Sequence, residues 1–205
     1  SREPDPDHYE HAHGYCDLLI VGSGPAGRAA ALCAANAGCD VILVEQDAVL
    51  GGDTLSHPDS SSALQEELSA LRACGVRLMT STTAFGLYDN GVAGLLERVT
   101  DHLTDPPSWL PRQRFWTVRA RATVIAAGAL ERHIAFGDND RPGVMTVNAG
   151  RTYLNRFAIQ AGEKIVIATN NDSAYTTASD LAGSGASVTM LDSRREIPSS
   201  LRSQC

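Results

Sequence analysis

Apolar residues fall along this chain in short unbroken runs that alternate with helical stripes. Asp17-Leu-Leu-Ile-Val21 is a run of the kind shown by a strand covered on both faces of a parallel sheet. It leads directly into Gly22-Ser-Gly-Pro-Ala-Gly27. From Pro25 to Ala37 the residues are mostly alanine, with the proline suited to a first turn and Gly38 where a helix would stop, so a closely packed helix is predicted. Val41 to Glu45 predicts a second buried strand ending in an acid, which completes a strand, helix and strand unit of about thirty residues. Gly51-Gly52 and Ser60-Ser-Ser62 mark a loop. Ser62 with Gln65 has the form of a capping box before Leu64, Leu68 and Leu71, which predict a crossover helix. Val76 to Met79 reads as a third strand. Asn90-Gly91 turns the chain into a segment whose Leu95, Leu96, Val99 and Leu103 predict a helix broken at Asp105-Pro-Pro107. Phe115 to Arg119 alternates as an outer strand does, and Thr123 to Ala127 is a further buried strand running into Gly128.

A second unit starts near Lys164. Ile165 to Ala168 reads as a strand, Ser173 to Leu181 as a helix, and Ala186 to Leu191 as a strand ending at Asp192. The fold class expected is therefore α/β, a Rossmann-like dinucleotide-binding domain followed by a second, degenerate Rossmann-like unit. The expected organisation is a polar lead-in over residues 1–15, an incomplete Rossmann-like domain over 16–150, and the truncated start of a second such domain over 151–205. The chain begins at Ser1 and stops at Cys205 inside a polar stretch, which reads as a fragment.

Composition narrows the function classes. Of 205 residues, 43% are hydrophobic and 20% charged, the balance of a globular protein that buries a core without metal or disulfide staples. The net charge of −7 and the lack of a basic block argue against nucleic acid as a partner. No run approaches the ~18 apolar residues of a membrane helix, and residues 1–15 are too polar for a signal peptide, so a cytoplasmic protein without membrane partners is expected. The cysteines are five and form no C-x-x-C pair, with Cys33 and Cys39 read as small packed hydrophobes.

The chemistry is concentrated at the first strand-to-helix junction. Gly22, Gly24 and Gly27 form G-x-G-x-x-G in the context that gives the motif meaning. The first glycine permits the tight turn, the second lets a pyrophosphate approach the backbone, and the third lets helix and strand pack closely. The free N–H groups and positive end of the helix dipole then hold the anion. Glu45, 18 residues after Gly27, is placed to accept hydrogen bonds from the adenosine ribose. A 2′-phosphate would be repelled there, which favours NAD or FAD over NADP. Arg28 stands where the helix dipole disfavours a cation, and reads as facing solvent.

In the second unit the matching positions are Thr169, Asn171 and Ala174. Each carries a Cβ, so this unit is expected to keep the shape and to have lost or altered dinucleotide binding. Asp192 there reads as a solvated strand-terminal acid. His8, His11 and His13 read as part of a solvated or docking lead-in. No catalytic constellation and no metal-ligand spacing emerges from His57, His102 or His133.

Longer segments carry a resemblance. Besides the glycine loop and Val41-Ile-Leu-Val-Glu45-Gln46, these are Gly51-Gly52, Thr82-Thr-Ala-Phe-Gly86, Leu96-Glu-Arg-Val-Thr-Asp-His-Leu103, Arg112-Gln-Arg-Phe-Trp116, Ala127-Gly-Ala-Leu-Glu-Arg132, Asn139-Asp-Arg-Pro-Gly-Val-Met145, Arg151-Thr-Tyr-Leu-Asn-Arg156 and Thr169-Asn-Asn-Asp-Ser-Ala-Tyr175. Over about residues 8–192 the chain resembles the alpha-subunit family of heterotetrameric sarcosine oxidases. The resemblance implies an oxidoreductase that demethylates sarcosine to glycine, yielding hydrogen peroxide and formaldehyde or methylenetetrahydrofolate. It also implies NAD in this subunit, FAD and FMN in the assembled enzyme, and partnership with beta, gamma and delta subunits. The NAD contacts it carries over fall on Gly22, Gly24, Ala26, Gly27, Glu45, Gln46, Asp47, Asp53 and Ala84, with no catalytic side chain and no metal ligand. His133 departs from the family's usual proline, and Asp53-Thr54 from a more usual small or basic pair. The family's alpha chain is several times longer and has a folate-binding region that these residues do not include. Other readings are a complete FAD- and NAD-dependent reductase, a subunit acting on opines or making cyanide from glycine, and a scaffold whose dinucleotide is structural.

Overall fold

A computed structural model describes residues 7–58 and 61–196. Residues 1–6 of the expected lead-in, Ser60 of the serine cluster, and residues 197–205 with Cys205 lie outside them. The chain divides into two units, the first from residues 7–54 and 61–128, the second from 55–58 and 129–196. Residues 129–150, read from the sequence as the end of the first domain, thus go with the second unit.

The first unit is built on β1 (Tyr9–Val21), α1 (Pro25–Asn36), β2 (Val41–Val44), α2 (Ser61–Ala73), β3 (Arg77–Met79), β4 (Thr82–Tyr88), β5 (Val92–Arg98) and β6 (Gln113–Ile125). These form one six-stranded sheet in the order β3-β2-β1-β6-β5-β4. β1, β2, β3 and β6 run parallel, and β5 and β4 are antiparallel additions beyond β6. Helix α1 packs on β1 and β2 and against α2. The ends of β1 and β2 lie side by side because Val21 pairs with Val44.

The core explains these elements. β2 is buried along its whole length, as its unbroken Val-Ile-Leu-Val run requires. Leu19, Ile42 and Val44 pack with Met79, Leu95, Trp116 and Val118 in one apolar cluster. Leu19 has no exposed surface. Its replacement by alanine is expected to cost about 2–5 kcal/mol, read as a lower urea midpoint at unchanged slope.

Five expectations are corrected. Residues 9–15 are not a lead-in: they are the outer half of β1, paired with β6 from Tyr9 opposite Gln113 to Val21 opposite Ile125. His11 lies on that strand with its ring centroid 5.3 Å from that of Phe115. The segment expected as a helix around Leu95 to Leu103 is not helical: Leu95 and Leu96 lie in β5, between β4 and β6, and residues 99–103 follow it as a turn. The two strands expected at 115–119 and 123–127 are one 13-residue strand, β6. Cys33 and Cys39 are exposed, and the packed thiol is Cys16, whose pKa burial pushes up to about 11. Helix α2 begins at Ser61, so Ser62 sits inside its first turn.

The second unit holds α3 (Val147–Phe157), β7 (Lys164–Thr169), α4 (Ser173–Gly183) and β8 (Ser187–Asp192), with β7 and β8 parallel. The expected strand, helix and strand are present. α3 was not anticipated; Thr146 caps it by accepting a hydrogen bond from the Ala149 N–H at 3.3 Å. No helix among the described residues is long and apolar enough to cross a membrane.

Candidate functional site

The glycine loop joins β1 to α1, and its three glycines have three different physical reasons. Gly22 has φ +103°, and a Cβ there would stand 2.3 Å from the Ala126 carbonyl oxygen. A Cβ on Gly27 would stand 1.9 Å from the Gly22 oxygen. Both are demanded by the protein's own packing. Gly24 is not: its φ of −62° and ψ of 177° suit any residue, and a Cβ built there meets nothing within 4 Å. Gly24 is the N-cap of α1 with no side-chain cap, and Pro25 at the next position has no N–H. The first-turn donors therefore belong to Ala26 and Gly27, beside an open space that a Cβ on Gly24 would fill. This fits an anion resting against the backbone at that point.

Glu45 directly follows β2 and is 8% exposed. Its Oε2 accepts from the Ser23 N–H at 3.0 Å and from the Ser23 hydroxyl at 2.6 Å, and its Oε1 accepts from the Asp47 N–H at 3.0 Å. A carboxylate offers about four acceptor positions, so capacity remains for a hydroxyl donor. The predicted acid and the glycine loop are thus brought together, through a serine that the sequence reading passed over. The Ser23 hydroxyl also accepts from the Gly51 N–H at 2.9 Å, tying the Gly51-Gly52 turn to the same group.

Beyond Glu45 an open cleft of about 480 Å³ is lined by Gln46, Asp47, Thr83 and Arg98. Arg98 donates to the Gln46 carbonyl at 2.5 Å, and Ser81 N–H to the Asp47 carbonyl at 2.8 Å, so the strand ends around the cleft are fastened. Asp53 lies in the short 3-10 helix Gly52–Ser56. Ala84 is on β4, paired with Leu95 of β5, with its side chain packed on the core. Arg98 and Thr83 were missed because β4 and β5 were not expected to meet here.

Arg28 also departs from expectation. It is 5% exposed and does not face solvent. Its guanidinium donates to the carbonyls of Ser23 and Gly51, both at 2.9 Å, to Thr54 Oγ1 at 3.2 Å and to Glu67 at 2.6 Å.

Residues 17–129, more than half of the chain, match the FAD dependent oxidoreductase family. The chain belongs to that family. Among relatives of this FAD dependent oxidoreductase chain, the sarcosine oxidase subunit alpha of Rhizobium meliloti (strain 1021) is 43% identical over 95% of the chain and 20% of its own length. That of Corynebacterium sp. (strain U-96) is 40% identical over 94% and 21%. The chain spans about one fifth of the length of these relatives. In fold it is similar to an L-proline dehydrogenase from P. horikoshii, at a TM-score of 0.74 and 22% identity, over 92% of this chain and 38% of that one.

The second unit of this oxidoreductase chain treats the corresponding groups differently. Asn171 Oδ1 accepts from the Ser173 N–H at 3.0 Å and from its hydroxyl at 2.6 Å, so an internal acceptor occupies a donor at the start of α4. Asp192, expected as a solvated acid, has a side chain only 3% exposed. Arg194 and then the Tyr175 hydroxyl hold it, at 2.7 and 3.0 Å, and keep its carboxyl well below the usual range.

Proposed function

We propose that the first unit grips the adenosine and pyrophosphate portion of a dinucleotide, NAD in the reading that follows the sarcosine oxidase alpha relatives. The observation that carries it is Gly24, a glycine required by neither φ nor packing and explained by close approach of a ligand. In this reading Gly22, Gly24, Ala26 and Gly27 receive the pyrophosphate, Glu45 the ribose hydroxyls, and Gln46, Asp47, Asp53 and the Ala84 backbone the adenosine side. A bound dinucleotide supplies a redox-active ring; this chain's residues hold and orient the other end and contribute no catalytic side chain. The second unit keeps the shape without a dinucleotide, a reading supported by the internal acceptor Asn171 and by the occupied Asp192. The protein is then the dinucleotide-binding part of a cytoplasmic sarcosine oxidase alpha subunit that works with beta, gamma and delta subunits, FAD and FMN, and a folate region elsewhere. A second reading, FAD in the same groove, is favoured by the family to which the chain belongs. Chromatography of the dinucleotide released on denaturing the purified protein separates the two readings, with NAD expected.

The role of Glu45 has its own test. Glu45→Ala is expected to weaken NAD about 10- to 100-fold, the scale of hydrogen bonds to a charged group. It should leave the affinity for a dideoxyribose analogue nearly unchanged. Titration of both ligands checks this, and equal losses would contradict the assignment.

A further inference from the structure

A cation in the first turn of a helix, buried under its positive end, is a poor local choice, and such a choice calls for a compensating role. Arg28 is compensated by acceptors from four segments: the glycine loop, the Gly51-Gly52 turn, the 3-10 helix and α2. Its Nη1 alone bridges the Ser23 and Gly51 carbonyls, both at 2.9 Å. Glu67, on α2 and half exposed, accepts from the Nε–H at 2.6 Å and balances the charge. What Arg28 contributes is therefore the geometry of its fork more than a free positive charge. The consequence is felt at Gly24. Gly52 lies so close that a Cβ on it would stand 2.9 Å from the Gly24 Cα and 3.2 Å from its nitrogen. The turn that Arg28 holds thus abuts the Gly24 backbone itself, while the space that a Gly24 Cβ would enter stays open.

We propose that Arg28 is a positioning residue for dinucleotide binding, a clamp that locks the Gly51-Gly52 turn onto the glycine loop and fixes the width of the pyrophosphate groove. The inference rests on the dinucleotide reading above and assigns the groove's shape to a residue outside the motif. Ser23, between Glu45 and the Gly51 N–H, is the second half of the clamp.

The test uses the intact protein with ADP-ribose and adenosine as probes, the affinities read by titration and the fold by thermal midpoint. Arg28→Lys keeps a charge but cannot reach both carbonyls together. It is expected to weaken ADP-ribose about 10- to 100-fold while changing adenosine, held at Glu45 and the cleft, by less than about 2-fold. Glu67→Gln loosens the guanidinium from an exposed position and keeps the question answerable if Arg28→Lys does not fold. It is expected to weaken ADP-ribose about 2- to 5-fold at an unchanged thermal midpoint. Parallel losses of ADP-ribose and adenosine in Arg28→Lys, or unchanged ADP-ribose affinity in either folded variant, would overturn the clamp. Wild-type protein that fails to bind ADP-ribose would overturn the dinucleotide reading itself, a different result.

Discussion

Gly24→Ser is expected to leave the fold intact and to abolish dinucleotide binding. The φ and ψ of Gly24 suit serine, and the space around its Cβ is empty, so no strain enters. Serine is at least as good an N-cap as glycine, by a few tenths of a kcal/mol, so the thermal midpoint should hold or rise slightly. The same substitution places Cβ and a hydroxyl where the pyrophosphate would lie, and lets that hydroxyl accept the Gly27 N–H meant for the anion. Asn171 already does the equivalent at the start of α4. A loss of about 100-fold or more in affinity is expected, roughly 2.7 kcal/mol, measured by titration beside a melting curve.

Gly27→Ala should do the reverse, damaging the fold first. In a helix interior alanine normally stabilises by about 1 kcal/mol over glycine. Here the added carbon would stand 1.9 Å from the Gly22 carbonyl oxygen and 3.4 Å from the Ala126 Cβ. The first neighbour is backbone at the crossing of β1, β6 and α1, and it cannot turn aside as a side chain can. A net cost of about 3 kcal/mol or more is expected, a fall in thermal midpoint of roughly 6–12 °C for a chain of this size. A raised midpoint would contradict this close approach of helix and strand. Together the two glycines separate what the motif does for the protein from what it does for a ligand.

The parallel part of the first unit was legible because its signals are local. Unbroken apolar runs gave β2 and the inner half of β1, alanine and proline gave α1, and the G-x-G-x-x-G spacing put Gly22, Gly24 and Gly27 next to Glu45. The antiparallel part was not legible from periodicity, because Leu95, Leu96, Val99 and Leu103 fit a helical stripe as well as a strand. The turn before them held the better signal. Asn90 and Gly91 both have positive φ, at 61° and 71°, the Asn-Gly pairing that closes tight hairpins, and β4 and β5 pair across it. Polar residues hid the outer half of β1. His11 and His13 alternate with Ala12 and Gly14, and Glu10, on the same face as Ala12, forms an ion pair with Arg114 at 2.8 Å. The long-range contacts of Ser23 and Arg28 had no local signature, since their partners at Gly51, Thr54 and Glu67 lie 23 to 39 residues away. Such bonds exist only once the sheet order has brought those segments together.

The central claim is that an anion rests over Gly24 with a sugar held at Glu45. The direct measurement is a crystal structure of the intact protein with its dinucleotide. The account predicts both phosphates against the Gly24 backbone and the Ala26 and Gly27 N–H groups, with ribose hydroxyls on the Glu45 carboxylate. Phosphates bound elsewhere, or that groove filled by the protein's own side chains, would contradict it.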